Sequence, residues 1–233
     1  AKVLDNKVSL GADVTSVLRR GSYYLVSFTD LSGIKYTLGA KMVILAVPAL
    51  VALQIAPLVL EDEQKRIMEQ IPYAASLTAA LFSDRPIHVD AFDLAVPNGW
   101  FFTNIYDSTW VQRFYDESTQ DQKTSILGVY IAPESFTDRS LLALSDYQVI
   151  ENIYTDLEKL FPGVRQNITG YDLHRFPYAY PVMTVGAYRR LTRLHRITKG
   201  TLLLAGDYMI YPSFEAAAES GFQAAEKALA RLK

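Results

Sequence analysis

Residues 198–233 read TKGTLLLAGDYMIYPSFEAAAESGFQAAEKALARLK, and the fold turns on how they are read. Leu202, Leu203, Leu204 and Ala205 form a short continuous apolar run, the pattern of a strand covered on both faces. Gly206 and Asp207 follow directly. A glycine at the carboxyl end of such a strand lets the backbone approach a ligand closely. The aspartate beside it places one carboxylate where open α/β sheets bind their ligands. After Tyr208 to Pro212, Ser213 is positioned to cap a helix, whose first N–H groups, on Phe214, Glu215 and Ala216, attract an anion or an electron-rich carbonyl. Gly221 lies inside that helix at a cost of about 1 kcal/mol relative to alanine. The expected reason is close packing of Ala217, Gly221, Ala224, Ala225 and Ala228 against a sheet. Read alone, the helix is an Ala-rich amphipathic segment ending a domain.

A second segment changes that reading. From Val8 to Pro48 the chain alternates in the manner of short strands: Val14, Ser16 and Leu18; Tyr24, Val26 and Phe28; Tyr36 and Leu38, with a turn at Ser32-Gly33. The stretch from Met42 to Val47 is continuous rather than alternating and stops at Pro48, which predicts a strand buried on both faces.

Between these segments the pattern differs. Residues 61–70, EDEQKRIMEQ, predict a short polar helix between Pro57 and Pro72. Ser76 to Phe82, Thr124 to Ile131 and Gly170 to Phe176 read as strands. Residues 145–160 form an amphipathic helix with Tyr147, Ile150, Ile153, Tyr154, Leu157 and Leu160 on one face, capped by Ser145 and stopped by Phe161-Pro162-Gly163. Trp100-Phe101-Phe102 reads as a turn entering a strand, its rings in the core, with an aromatic substrate wall as the alternative. The Asp116 to Lys123 stretch is a solvated connection. Strands and helices that are grouped rather than alternating indicate an α+β layer.

Composition excludes several classes of chemistry. The 233 residues contain no cysteine, so disulfides, thiolate nucleophiles and thiolate metal sites are absent. His88, His174 and His195 are far apart, none at metal-ligand spacing, and no metal site is expected. There is no Gly-x-Ser-x-Gly elbow and no phosphate loop, and the carboxylates are scattered singly. Lys plus Arg (23) nearly balances Asp plus Glu (25), which does not suit a nucleic-acid partner. No apolar run reaches the roughly eighteen residues of a membrane span and no signal peptide opens the sequence, so a cytoplasmic, at most peripheral, protein is expected. Tyr188 to Arg196 is the one dense basic patch; it suits an anionic membrane surface or an acidic substrate, and equally a solvated helix face.

A meander feeding a buried strand, then Leu-Leu-Leu-Ala-Gly-Asp and a helix much later, resembles the flavin-containing amine oxidase superfamily, which also holds protoporphyrinogen oxidases and desaturase-like enzymes. The resemblance covers nearly the whole chain. It implies an α/β remnant of an FAD-binding Rossmann-like domain with an inserted mixed-sheet substrate domain. Residues 1–56 would form the adenine side, 57–196 the substrate domain, and 197–233 the strand and helix that complete the FAD domain.

The same resemblance implies roles. The backbone at Val14 would hold the adenine edge, and Ala46, Val47 and Pro48 would close the strand beneath the adenosine half. Gly206 and Asp207 would approach the pyrophosphate and ribitol, and the N–H groups near Phe214 and Glu215 would face the flavin pyrimidine edge. The family's opening Gly-x-Gly-x-x-Gly turn is missing, for no two glycines here are two apart. A fragment or one chain of a two-chain enzyme is therefore expected, its partner being the N-terminal FAD-binding segment or subunit, and binding of FAD by this chain alone is not expected to be tight. Thr78 stands where amine oxidases usually carry a lysine, and Ser213 where they often place a cage aromatic. Phe176 to Pro181, with Tyr178 and Tyr180, resembles the proline-rich approach to the flavin in protoporphyrinogen oxidases, which favours an apolar or conjugated small molecule. A proline-flanked bend that merely packs aromatics is the alternative for Tyr178 and Tyr180. No side chain is nominated as catalytic. The implied activity is oxidation of a small amine or an apolar substrate by hydride transfer to flavin; a scaffold domain without redox chemistry and a subunit of a split oxidase are the alternatives.

Overall fold

The computed structural model describes residues 4, 7–88, 91–119 and 123–232. It divides into two compact units, Ala1–Pro72 with Tyr180–Lys233, and Tyr73–Ala179. This division by contacts and the functional allotment implied by the resemblance are different partitions: residues 57–72 and 180–196 group here with the first unit.

The first unit opens with an antiparallel meander, β1 (Asp13–Arg20), β2 (Tyr23–Thr29) and β3 (Lys35–Ala40). Alternation along β1 and β2 buries Val17 and Tyr24. The β2–β3 turn is held by Asp30, whose Oδ1 accepts N–H bonds from Ser32 and Ile34, both at 2.9 Å, and Gly33 supplies the positive φ of 79°. A bulge interrupts β1 between Val14 and Ser16.

Strand β4 (Val43–Leu45) pairs in parallel with β10 (Leu202–Leu204) in a two-stranded sheet. All three leucines of β10 are buried. The expectation that Met42 to Val47 is one strand covered on both faces is not met: β4 is three residues long and Ile44 is 39% exposed. Among the described residues β4 has only β10 beside it, and Pro48 starts a helix rather than merely ending a strand. Its carbonyl accepts the Ala52 N–H at 2.9 Å at the head of α1 (Ala49–Ile55). That helix has no capping side chain and no clear period, and sequence reading missed it.

Helix α2 (Asp62–Glu69) forms as expected, its first turn closed by a capping box between Glu61 and Gln64. It meets α5 (Ala187–Ile197) through Gln64 Nε2 donating to Thr198 Oγ1 at 3.2 Å and through the fork of Arg193 on Glu63 at 2.7 and 2.8 Å. Helix α6 (Phe214–Leu232) lies against β10. Its buried row is Ala216, Ser220 and Ala224, with Ala228 half-buried below. The predicted contact row is therefore corrected. Ala225 is exposed, and a Cβ built on Gly221 would meet nothing within 4 Å. The i, i+4 row through Ala216 carries the packing, so Gly221 is not required by it.

The second unit is built on a five-stranded sheet in the order β6-β7-β8-β5-β9: β5 (Tyr73–Ser83), β6 (Asp93–Ala95), β7 (Asn104–Asp107), β8 (Ser125–Ile131) and β9 (Ile168–Pro181). Helix α4 (Asp146–Leu160) packs Val149, Ile150, Ile153 and Leu157 onto Leu77, Leu81, Ile105, Leu127 and Val129 of the sheet. Tyr147, read as part of that face, is instead 73% exposed. Ser145 caps α4 as predicted, accepting the Gln148 N–H in a capping box. Phe102 is in the core, and the strand after it begins at Asn104.

Strand β9 corrects the reading of a proline-flanked bend. It runs unbroken through Pro177 to Pro181, which is tolerated because it is the sheet's edge strand. Arg139 caps this run, donating to the carbonyls of Pro177 and Tyr73. A short helix unread from sequence, α3 (Trp110–Tyr115), is anchored by Arg113 to the buried carboxylate of Asp107.

Candidate functional site

The parallel register Leu204↔Leu45 continues one step further, with the Ala205 N–H donating to the Leu45 carbonyl at 3.0 Å. Both chains then leave the sheet at the same, carboxyl, end. Ala46 thus neighbours Ala205, and Val47-Pro48 and Gly206-Asp207 depart from the same end, although the two stretches are distant in sequence.

Gly206 has φ 144° and ψ 164°, and a Cβ there would come within 2.8 Å of the Tyr208 ring, which is itself fully buried. The position admits only glycine. Asp207 opens a single 3₁₀ turn, Asp207–Met209, closed by Met209 N–H to Gly206 carbonyl at 3.1 Å and Ile210 N–H to Asp207 carbonyl at 2.9 Å. Its Oδ1 accepts the Tyr208 N–H at 2.8 Å. Burial pushes the Asp207 carboxyl above its ordinary value, and the Tyr208 N–H pulls partly the other way.

The chain then reaches α6, where Ser213 Oγ accepts the Ala216 N–H at 3.0 Å and the Ser213 carbonyl accepts the Ala217 N–H at 3.1 Å. Ser213 is the predicted cap. Of the three N–H groups expected to face a ligand, that of Ala216 is thus taken, and those of Phe214 and Glu215 remain at the mouth of a 19-residue helix. The Phe214 side chain is 98% exposed. Ile210, Tyr211, Glu215, Glu219 and Phe222 line an open groove of about 580 Å³ on the outer side of this helix.

The remaining predicted residues lie elsewhere. Val14, half-buried, pairs with Phe28 in the meander at the bulge, and the meander is tied to the start of β10 by Tyr24 Oη and Thr201 Oγ1 at 3.1 Å. Thr78 lies on β5 opposite Tyr130, and Tyr178 lies on β9 with its ring edge-on to Tyr73 at 5.8 Å. Tyr180 follows on the same strand face as Tyr178, in the part of β9 that belongs to the first unit.

Two residues that sequence reading missed complete the turn. The Gly206 N–H donates to Ser220 Oγ at 2.7 Å, and His195 Nε2 donates to the Met209 carbonyl at 2.7 Å. A signal for Ser220 existed: a hydroxyl in the buried alanine row of α6 requires a hydrogen-bond partner. Nothing in the sequence marks His195.

This cradle has the parts that a dinucleotide needs: a strand end where a Cβ would clash, one half-exposed carboxylate, and a long helix with two donors to spare. Among the described residues no group of His, Asp and Glu could hold a metal ion, and no helix is long and apolar enough to cross a membrane. The family profile described as flavin containing amine oxidoreductase matches residues 1–229. The chain belongs to that family. No protein of curated function matches the sequence. Among solved structures, a triple variant of putrescine oxidase, made in a structure-based redesign of its cofactor binding, aligns with TM-score 0.72 and 18% identity over 99% of this chain. A provisionally assigned protoporphyrinogen oxidase from Exiguobacterium sp. 255-15 aligns with TM-score 0.69 and 16% identity over 92% of it. These likenesses carry the α+β fold. The chain spans about half the length of either structure, 51% and 46% respectively.

Proposed function

We propose that this chain supplies the adenine-side and flavin-side edges of an FAD site, together with the substrate-facing sheet, of an oxidoreductase that oxidises a small amine or an apolar molecule by hydride transfer. The observation that carries this reading is that Ala46–Pro48 and Gly206–Asp207 leave the parallel pair at one end, with α6 packed against β10 and the Asp207–Met209 turn. A bound flavin supplies the hydride acceptor; the protein binds, orients and excludes water. In this reading the Gly206 and Asp207 backbone lies against the pyrophosphate and ribitol, and the Phe214 and Glu215 N–H groups point to the flavin pyrimidine edge. Val14 holds the adenine side. Thr78 and Tyr178 in the second unit, and Tyr180 and Ser213 in the first, are each assigned a substrate role by the family resemblance.

Because no Gly-x-Gly pair occurs in the 233 residues, the pyrophosphate-binding turn comes from a segment or subunit outside this sequence. The test is an absorbance spectrum from roughly 300 to 550 nm of the purified chain, before and after incubation with FAD and desalting, and of the protein as isolated from its own cells. Flavin bands in the isolated protein that are missing from the bare chain support the reading. Absence of flavin from both would sink it in favour of a scaffold role.

A further inference from the structure

The turn Gly206–Met209 is held from behind by two side chains that no cofactor contact requires. Ser220, buried on α6, has one hydroxyl proton, and it goes to the Ala217 carbonyl at 3.0 Å. Its oxygen is thereby left to accept the Gly206 N–H at 2.7 Å. His195, in the last turn of α5, meets the other end of the turn. A carbonyl can only accept, so the 2.7 Å contact with the Met209 oxygen fixes the ring proton on Nε2. Both side chains line one small cavity of about 10 Å³ with Leu203, Leu204 and Ala224, room for a single water at most. The turn therefore has nowhere to retreat. Between the two pins Tyr208 and Met209 are buried, while Asp207 is half-exposed.

We infer that His195 and Ser220 are positioning residues of the cofactor site: one from each helix, they fix the Gly206–Met209 backbone so that the Asp207 carboxylate and the strand-end backbone are presented to the dinucleotide in a single arrangement. Neither touches the cofactor. The inference rests on the FAD reading above. Preorganisation of this kind acts on affinity by removing the ordering of the turn from the cost of binding.

The experiment compares Ser220→Ala and His195→Phe, which remove the hydroxyl and the ring donor, with Ser220→Thr and His195→Gln, which keep an oxygen acceptor and an N–H donor. Ile153→Val, in the core of the other unit, is the control for lost stability alone. Two quantities are read: amide hydrogen exchange at Tyr208, Met209 and Ile210 in the chain without FAD, and FAD affinity of the isolated holoprotein after stripping and retitration. Ser220→Ala and His195→Phe are each expected to speed exchange and to weaken FAD about tenfold. The donor- and acceptor-keeping variants should recover most of both, and the control should move neither. Undiminished FAD affinity in Ser220→Ala and His195→Phe, or exchange at those three amides that stays at the wild-type rate, overturns the inference. A wild-type protein that takes up no FAD in either form overturns the FAD reading, and this inference with it.

Discussion

Leu45 and Leu204 lie side by side as the last pair of a parallel two-stranded sheet. Everything proposed for the site follows from that register. Parallel neighbours leave a sheet at the same end, so the chain beyond each leucine emerges at the carboxyl end of the pair, the end at which α/β sheets bind ligands. An antiparallel pairing of the same two segments would have sent Ala46 and Gly206 to opposite ends, and the two stretches could not have shared a ligand.

Gly206→Ala tests how tightly the strand end is shaped. The added methyl would sit 2.8 Å from the Tyr208 ring, and φ 144° is closed to a side chain. Tyr208 is fully buried and cannot swing aside. The backbone must move, and a loss of about 1–3 kcal/mol is expected in denaturant unfolding, accompanied by loss of FAD in the isolated protein. Retention of both stability and flavin would show that the turn is pliable.

Gly221→Ala should do the reverse. Space is open around that position and the helix around it is regular, so the substitution gains helix propensity with no clash, stabilising the chain by about 0.5–1 kcal/mol. A measured loss would restore the close-packing role that its place among alanines suggests.

These two glycines also show how far the sequence could be read. The continuous run Leu202 to Ala205 and the caps Ser145 and Ser213 were legible because each depends on local chemistry: burial on two faces, or an oxygen next to free N–H groups. The same reasoning misjudged Met42 to Val47, because the number of neighbours a strand finds is a tertiary fact. It stopped β9 at its first proline because only position at a sheet edge makes proline acceptable there. Helix α3 has no capping side-chain bond and no buried residue of its own; the anchor is Arg113 on Asp107, across the end of β7. His195 was invisible for the same reason, since its partner is a backbone carbonyl from another element.

Asp107 and Arg113 form a buried ion pair in the second unit. The Asp107 side chain is 1% exposed and also accepts from the Thr109 N–H at 2.9 Å and hydroxyl at 2.6 Å. Asp107→Ala strands a guanidinium that is itself only 13% exposed, together with the Thr109 N–H. Breaking one side of such a buried pair costs about 3–5 kcal/mol, to be read as a lowered denaturation midpoint with α3 exchanging freely. A change no larger than that of an exposed ion pair would mean that Arg113 finds water easily.

Asp207→Asn separates stability from cofactor binding, and the sign can be worked out in advance. Burial raises the Asp207 carboxyl above its ordinary 3.8 in the folded chain. Between 3.8 and that raised value the folded chain holds more protons than the unfolded one, so stability falls as pH rises through the window and the penalty is complete above it. Asparagine carries no charge to bury and still offers Oδ1 to the Tyr208 N–H. The variant should therefore be more stable than the wild type at neutral pH, and the difference should shrink toward zero as pH drops below the window. Glu158, held below its ordinary range by the N–H groups of Arg165 and Gly163, pulls the opposite way because its contribution fades on acidification. It does so equally in both proteins and cancels in the difference. On the proposed reading the isolated Asp207→Asn protein should nonetheless retain less FAD, since the carboxylate presented to the cofactor is gone. Paired pH titrations of the unfolding midpoint, with flavin content measured on the same preparations, check both halves. A variant less stable than the wild type at pH 7 would show that the charge is satisfied where it stands, and unchanged flavin content would remove Asp207 from the site.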